Sequence, residues 1–127
     1  MNKREQVTAA ILNIASATVP QVKWASKIKG ANRSRDKEGS VTCDSIEYVY
    51  KAKGLTFAQA RYSIYLVDVT SIDGMDGFAD ELFDALHDSD LEGTCNKALI
   101  TRVQYGAPKD YPNVGVVLLT LEAQYQI

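Results

Sequence analysis

The closing stretch VVLLTLEAQYQI, residues 116–127, constrains the fold more than any other part of the chain. Val117, Leu119, Leu121, Ala123 and Tyr125 face one way when it is extended, and Thr120, Glu122, Gln124 and Gln126 face the other. A period of two, with one dry face and one polar face, is the pattern of an antiparallel strand covered on one side. Such a strand needs partners beside it and an apolar layer on top of it.

The rest of the chain supplies both. In VTCDSIEYVYKAK, residues 41–53, Ile46, Tyr48 and Tyr50 share a face, as in a half-buried strand. LTFAQARYSIYLVDVT follows, and its middle from Tyr62 to Val69 is nearly all apolar and β-favouring. That segment reads as a strand covered on both faces, or by a neighbour on one. Gly54 marks the turn of an antiparallel hairpin between the two. ALITRVQY, residues 98–105, is a further strand, joined to the last by the Pro- and Gly-bearing loop GAPKDYPNVG. QVKWASKIK, residues 21–29, alternates loosely enough for a short strand.

Two helical patterns complete the set. Val7, Ala10, Ile11, Ile14 and Ala15 fall on one stripe between Asn2 and Thr18, and Pro20 ends it. Lys3, Arg4 and the Ala-Ser-Ala at 15–17 give this segment some likeness to a signal peptide. Glu5, Gln6, Thr8 and Asn13 interrupt its apolar run and favour the amphipathic helix. In IDGMDGFADELFDALHDSD, residues 72–90, Met75, Phe78, Ala79, Leu82, Phe83 and Leu86 recur at helical spacing, with Asp73 placed to cap. The order is α-β-β-β-α-β-β. We therefore expect an α+β fold: a mostly antiparallel sheet of four to five strands with helices packed on one face. Residues 1–127 read as one domain with a mobile basic loop, GANRSRDKEGS, at about 30–40.

The net charge of −2 hides a split. Residues 1–63 carry eleven Lys or Arg against five acids, and residues 64–127 carry three against eleven. The basic excess is densest at Lys23, Lys27, Lys29, Arg33, Arg35 and Lys37. Halves of opposite sign can pair within a chain or between copies. No apolar run approaches the ~18 residues of a membrane span. Cys43 and Cys95 stand far apart in no paired motif, and read as idle or buried thiols.

Residues 72–90 also hold seven acids and the chain's one histidine, His87. Asp80, Asp84 and His87 fall at i, i+4 and i+7, so a helix could present them together as ligands or an acid–base pair. One helix gives too few ligands without a second acidic element, for which only Asp68 and Asp110 are available. Asp76, Asp80, Asp84 and Asp88 are four apart, which is where an amphipathic helix puts its solvated face. We read them so, with no metal, cofactor or catalytic residue. Asp88 and Asp90 then crowd a helix C-terminus, where the dipole disfavours them and a basic partner would relieve them. The chain has no phosphate-binding glycine loop, no G-x-S-x-G and no H-E-x-x-H. Trp24 beside the basic run raises contact with nucleic acid, but Asp36 and Glu38 interleave it and the chain is net acidic.

This layout resembles the tail terminator (tail completion) proteins of long-tailed bacteriophages. RYSIYLVDVT looks like their central strand, GFADELFDALHD like the helix after it, and LEAQYQI like their closing strand. The resemblance implies a structural virion assembly protein of a phage or prophage, without enzymatic activity. It implies a homo-oligomeric, hexameric ring that caps the tail tube, ends its polymerisation and presents a surface for head joining. Its partners would be its own copies, the tube protein and a head-completion protein, with non-specific passage of DNA and no membrane. It would be built in the bacterial cytoplasm and carried in the virion tail. Another neck or connector protein, and a small cytoplasmic ligand-binding or regulatory α+β domain, are the other classes that fit. From the charge split we expect Lys27, Lys29, Arg33, Arg35 and Lys37 to meet Asp80, Asp84 and Asp88 across a subunit or tube interface.

Overall fold

The computed structural model describes residues 2–25, 38–68, 76–106 and 115–126. The chain forms α1 (Lys3–Thr18), β1 (Lys23–Ala25), β2 (Glu38–Ala52), β3 (Leu55–Asp68), α2 (Asp76–Leu86), β4 (Lys97–Gly106) and β5 (Gly115–Gln126). The basic loop expected at 30–40 is only partly described, since β2 already begins at Glu38.

The strands form one sheet in the order β1-β2-β3-β5-β4. β2 with β3, β3 with β5, and β5 with β4 are antiparallel, whereas β1 runs parallel to β2. The sheet is therefore mixed. Its parallel strand lies outside what alternation could reveal, being only three residues long. Trp24 fixes that strand. Its indole Nε1–H donates to the Val19 carbonyl at 3.0 Å, and its ring lies so close to Gly39 that an added Cβ there would approach it to 2.6 Å.

β5 sits between β3 and β4 and alternates as its sequence requires. Val117, Leu119, Leu121, Ala123 and Tyr125 are buried opposite Leu66, Ile64, Tyr62, Ala60 and Ala58. One buried cluster joins these residues to Val7, Ala10, Ile11 and Ala15 of α1, to Ala79, Leu82 and Leu86 of α2, and to Ala98 and Ile100 of β4. Across the sheet, Glu47, Gln59, Arg61, Leu99, Arg102 and Gln104 are exposed.

Local signals set the element ends. Asn2 caps α1, accepting from the Glu5 N–H at 2.8 Å while its amide donates to the Glu5 carboxylate at 3.2 Å. The side chain thus satisfies one of the unpaired N–H groups of the first turn and is itself held by Glu5. Gly54, at φ 81°, turns the β2–β3 hairpin in a conformation that glycine adopts without strain. A register shift between Cys43 and Ser45 makes Asp44 a bulge residue. It puts Val41 and Cys43 on the same face as Ile46, Tyr48 and Tyr50. That face is not half-buried throughout: Tyr48 is 54% and Tyr50 78% exposed.

Deleting residues 119–127 would remove an interior strand with Leu119, Leu121 and Tyr125. Truncating a buried Leu costs about 2–5 kcal/mol, and the sum reaches the ~5–15 kcal/mol stability of a whole domain. The truncated chain should lose its cooperative thermal transition. A soluble truncation that still melts cooperatively would show β5 to be a detachable arm.

Candidate functional site

The acidic helix is the first place to look for chemistry. Ala79, Leu82 and Leu86 of α2 are buried, while Asp80, Glu81 and Asp84 are exposed. Asp80, Phe83, Asp84 and His87 form one stripe at i, i+3, i+4 and i+7. His87 is not the solvated imidazole that the helical phase implies. Its ring stacks on Phe83, with centroids 4.4 Å apart and planes 14° from parallel. Its Nδ1 accepts the Ile100 N–H at 3.0 Å. Nδ1 is thereby committed to the edge strand and the ring is held in place. Asp88 lies beyond α2, at φ 63°, with its N–H donating to the Ala98 carbonyl at 2.7 Å. Its carboxylate meets Lys97 at 3.2 Å. The basic partner expected for a crowded helix end is thus supplied, for Asp88, inside the chain.

His87, Asp88 and Ser89 together cover the start of the β4 edge. Ser89 bridges to Ala98, whose N–H donates to the Ser89 carbonyl at 2.8 Å. Sequence spacing could not show this, because the helix end and its partners lie about a dozen residues apart. Among the described residues no group of three or more His, Cys, Asp or Glu is placed to hold a metal ion.

Of the residues expected at an interface, Asp80 and Asp84 share the exposed α2 stripe, and Asp88 sits beyond its end. Lys27, Lys29, Arg33, Arg35 and Lys37 lie outside the described residues, as does Asp73. Another basic group is in view at the start of α1. Lys3 and Arg4 line a cleft of about 270 Å³ with Asn2, Ile46, Tyr48 and Tyr125. The Tyr62 hydroxyl, at the base of this end of the sheet, reaches the Arg4 carbonyl at 3.5 Å. Exposed tyrosines on a strand, next to a basic helix start, were not singled out from the sequence. The alternation of β2 assigned Tyr48 and Tyr50 a face but said nothing of what covers it.

The open sheet face carries polar pairs. Arg61 Nη2 donates to Glu122 Oε1 at 2.9 Å across the β3–β5 ladder. Ser63 donates to the Asp44 carboxylate, which Thr42 also reaches at 3.4 Å. The bulge thus aims Asp44 at a buried hydroxyl. Both thiols are free. Burial, before any neighbour, raises the Cys43 pKa and pushes Cys95 up to about 11. Burial likewise raises Tyr62 and Tyr125. Such thiols are poor nucleophiles near neutrality.

No family model matches the chain, and no curated protein does. Among solved structures, the fold is similar to a chain of the virion of a native gene transfer agent particle. The two are 15% identical over 94% of each chain, with a TM-score of 0.68. The likeness is one of fold.

Two predictions follow from the site. His87→Ala leaves the Ile100 N–H without its acceptor and should cost about 1–3 kcal/mol in urea unfolding. Asp80→Ala and Asp84→Ala should each stay within ~0.5 kcal/mol. Titration of the native chain with zinc, calcium or manganese should show no stoichiometric isotherm, and a saturable one lost when Asp80, Asp84 and His87 are all replaced by Ala would overturn the helix-face reading. The second concerns Cys95. Its thiol ionises less readily folded than unfolded, so its contribution to stability is full below pH 9 and lost as pH rises toward 11. Cys95→Ala should flatten that part of the stability profile relative to wild type, and equal slopes would remove the thiol from the account.

Proposed function

We propose that this chain is a structural subunit of a phage-type particle, and within that class a tail terminator. It would assemble as a homo-oligomeric ring, a hexamer, that caps the tail tube, ends its polymerisation and offers a surface to a head-completion protein. It would act in the virion tail after assembly in the host cytoplasm, and it would catalyse nothing. The observation that carries this is the likeness of fold, over nearly the whole of both chains, to a component of a virion particle. The particle-component level rests on that likeness. The terminator assignment rests further on the resemblance of RYSIYLVDVT, GFADELFDALHD and LEAQYQI to the terminator layout.

The surface chemistry agrees with a protein that works by contact. In this reading α1 and α2 form one layer over the dry face of the sheet. The polar face, with Arg61, Glu122 and Arg102, stays open to partners or to passing DNA. His87, Cys43 and Cys95 are engaged in packing and hydrogen bonding.

Multi-angle light scattering and negative-stain imaging of the purified chain test the ring, and tube length with and without it tests the cap. The expected result is a discrete multimer of ring shape that shortens tubes grown in vitro from the tube protein. A monomer at high micromolar concentration that leaves tube length unchanged would sink the proposal.

A further inference from the structure

We infer that α2 of one copy docks, through Phe83, into the cleft between the α1 start and β2 of a second copy. The inference rests on the ring reading and specifies its contact. The two patches are different surfaces of the chain. α1 contacts β1, β2 and α2, and α2 contacts β4; the cleft lies between the α1 start and β2, and Phe83 lies on the exposed stripe of α2. They differ from each other, so copies joined through them run head to tail, as a ring requires.

Their chemistry is complementary. Lys3 and Arg4 make the cleft side basic, and Asp80 and Asp84 flank Phe83 on the other side. Among the described residues no ion pair joins Lys3 or Arg4 to Asp80 or Asp84. Each patch also shows an aromatic surface: Tyr48 at 54% and Tyr50 at 78% on one, Phe83 at 37% on the other. Contact between them removes apolar area from water, which carries affinity, while the charges set orientation and encounter rate. The cleft is large enough for the ring. Benzene occupies an apolar cavity of roughly 150 Å³, and this cleft offers about 270 Å³. Stacking on His87 holds Phe83 in one pose before it docks, so less freedom is lost on binding.

Two variants test the contact. The cleft variant carries Arg4→Glu, Tyr48→Ser and Tyr50→Ser, and the knob variant Asp80→Lys, Phe83→Ser and Asp84→Lys. Circular dichroism establishes that each is folded. Light scattering then reads assembly at concentrations where wild type is multimeric. Each variant alone should be monomeric, with self-association weakened tenfold or more. Mixed in equal amounts, they should form a one-to-one pair and stop there, because one intact cleft and one intact knob remain. Should either triple variant not fold, Arg4→Glu alone replaces the first, with weaker assembly expected at low salt and partial rescue by Asp80→Lys and Asp84→Lys in the same chain. A folded variant that assembles like wild type, an absence of rescue, or a mixture that stays monomeric overturns this interface. If wild type still forms discrete rings in those cases, the ring reading survives without it. Open filaments lost in both variants would keep the interface and sink the ring. A wild type monomeric at high micromolar concentration removes both.

Discussion

The pairing of β3 with β5 is the constraint on which the rest of the structure depends. Both strands are interior, and their dry faces meet residue against residue: Ile64 with Leu119, Tyr62 with Leu121, Ala60 with Ala123, Ala58 with Tyr125. A slip of one residue would turn Glu122 and Gln124 toward the core in place of Leu121 and Ala123. Burial of this set therefore excludes any slip by an odd number of residues. At one end the two large tyrosines lie among Ala58, Ala60 and Ala123. Their hydroxyls and the Cys43 thiol gather beneath the α1 start, and burial raises the pKa of all three.

What the sequence disclosed follows from the reach of each signal. β5 was legible because its alternation runs unbroken over its length, and α1 and α2 because their buried residues recur at 3.6. β1 was visible only as a loose alternation, and its direction not at all. It is held by Trp24 over Gly39 and by the Val19 carbonyl, contacts that no periodicity encodes. The surroundings of His87 are hidden from the sequence for the same reason. Helical phase places it on the wet face, but its ring is fixed by Phe83 and by the Ile100 amide thirteen residues on. Asp88 looked like an unfavourable charge on a helix C-terminus. The chain instead leaves the helix before it, at a left-handed residue, and supplies Lys97 as a counter-charge.

The Asp44 bulge links fold to surface. By adding one residue to β2 it changes which parity of that strand faces the core, so Val41 and Cys43 precede Ile46, Tyr48 and Tyr50 on one face. The apolar face therefore continues past the part of the sheet where the core cluster is buried, and ends in exposed tyrosines. Without the bulge, Glu47 and Val49 would occupy that position. A local irregularity, stabilised by the bond from the buried Ser63 hydroxyl to the Asp44 carboxylate, thus determines what the molecule displays beside α1.

The charges at the α1 start and on α2 bear on how copies could meet. A chain that displays a basic patch and an acidic patch repels its copies where like patches meet, and attracts them where unlike patches meet. Isologous pairing through either patch would bring Lys3 and Arg4 against their equivalents, or Asp80 and Asp84 against theirs. Both arrangements are disfavoured, and contact of the basic patch with the acidic one covers the aromatics with neither sign unpaired. Exposed ion pairs contribute only about 0–1 kcal/mol each, so their effect lies in this discrimination rather than in strength. An assembly built so would be held by apolar area, and its direction around the ring would be chosen by charge.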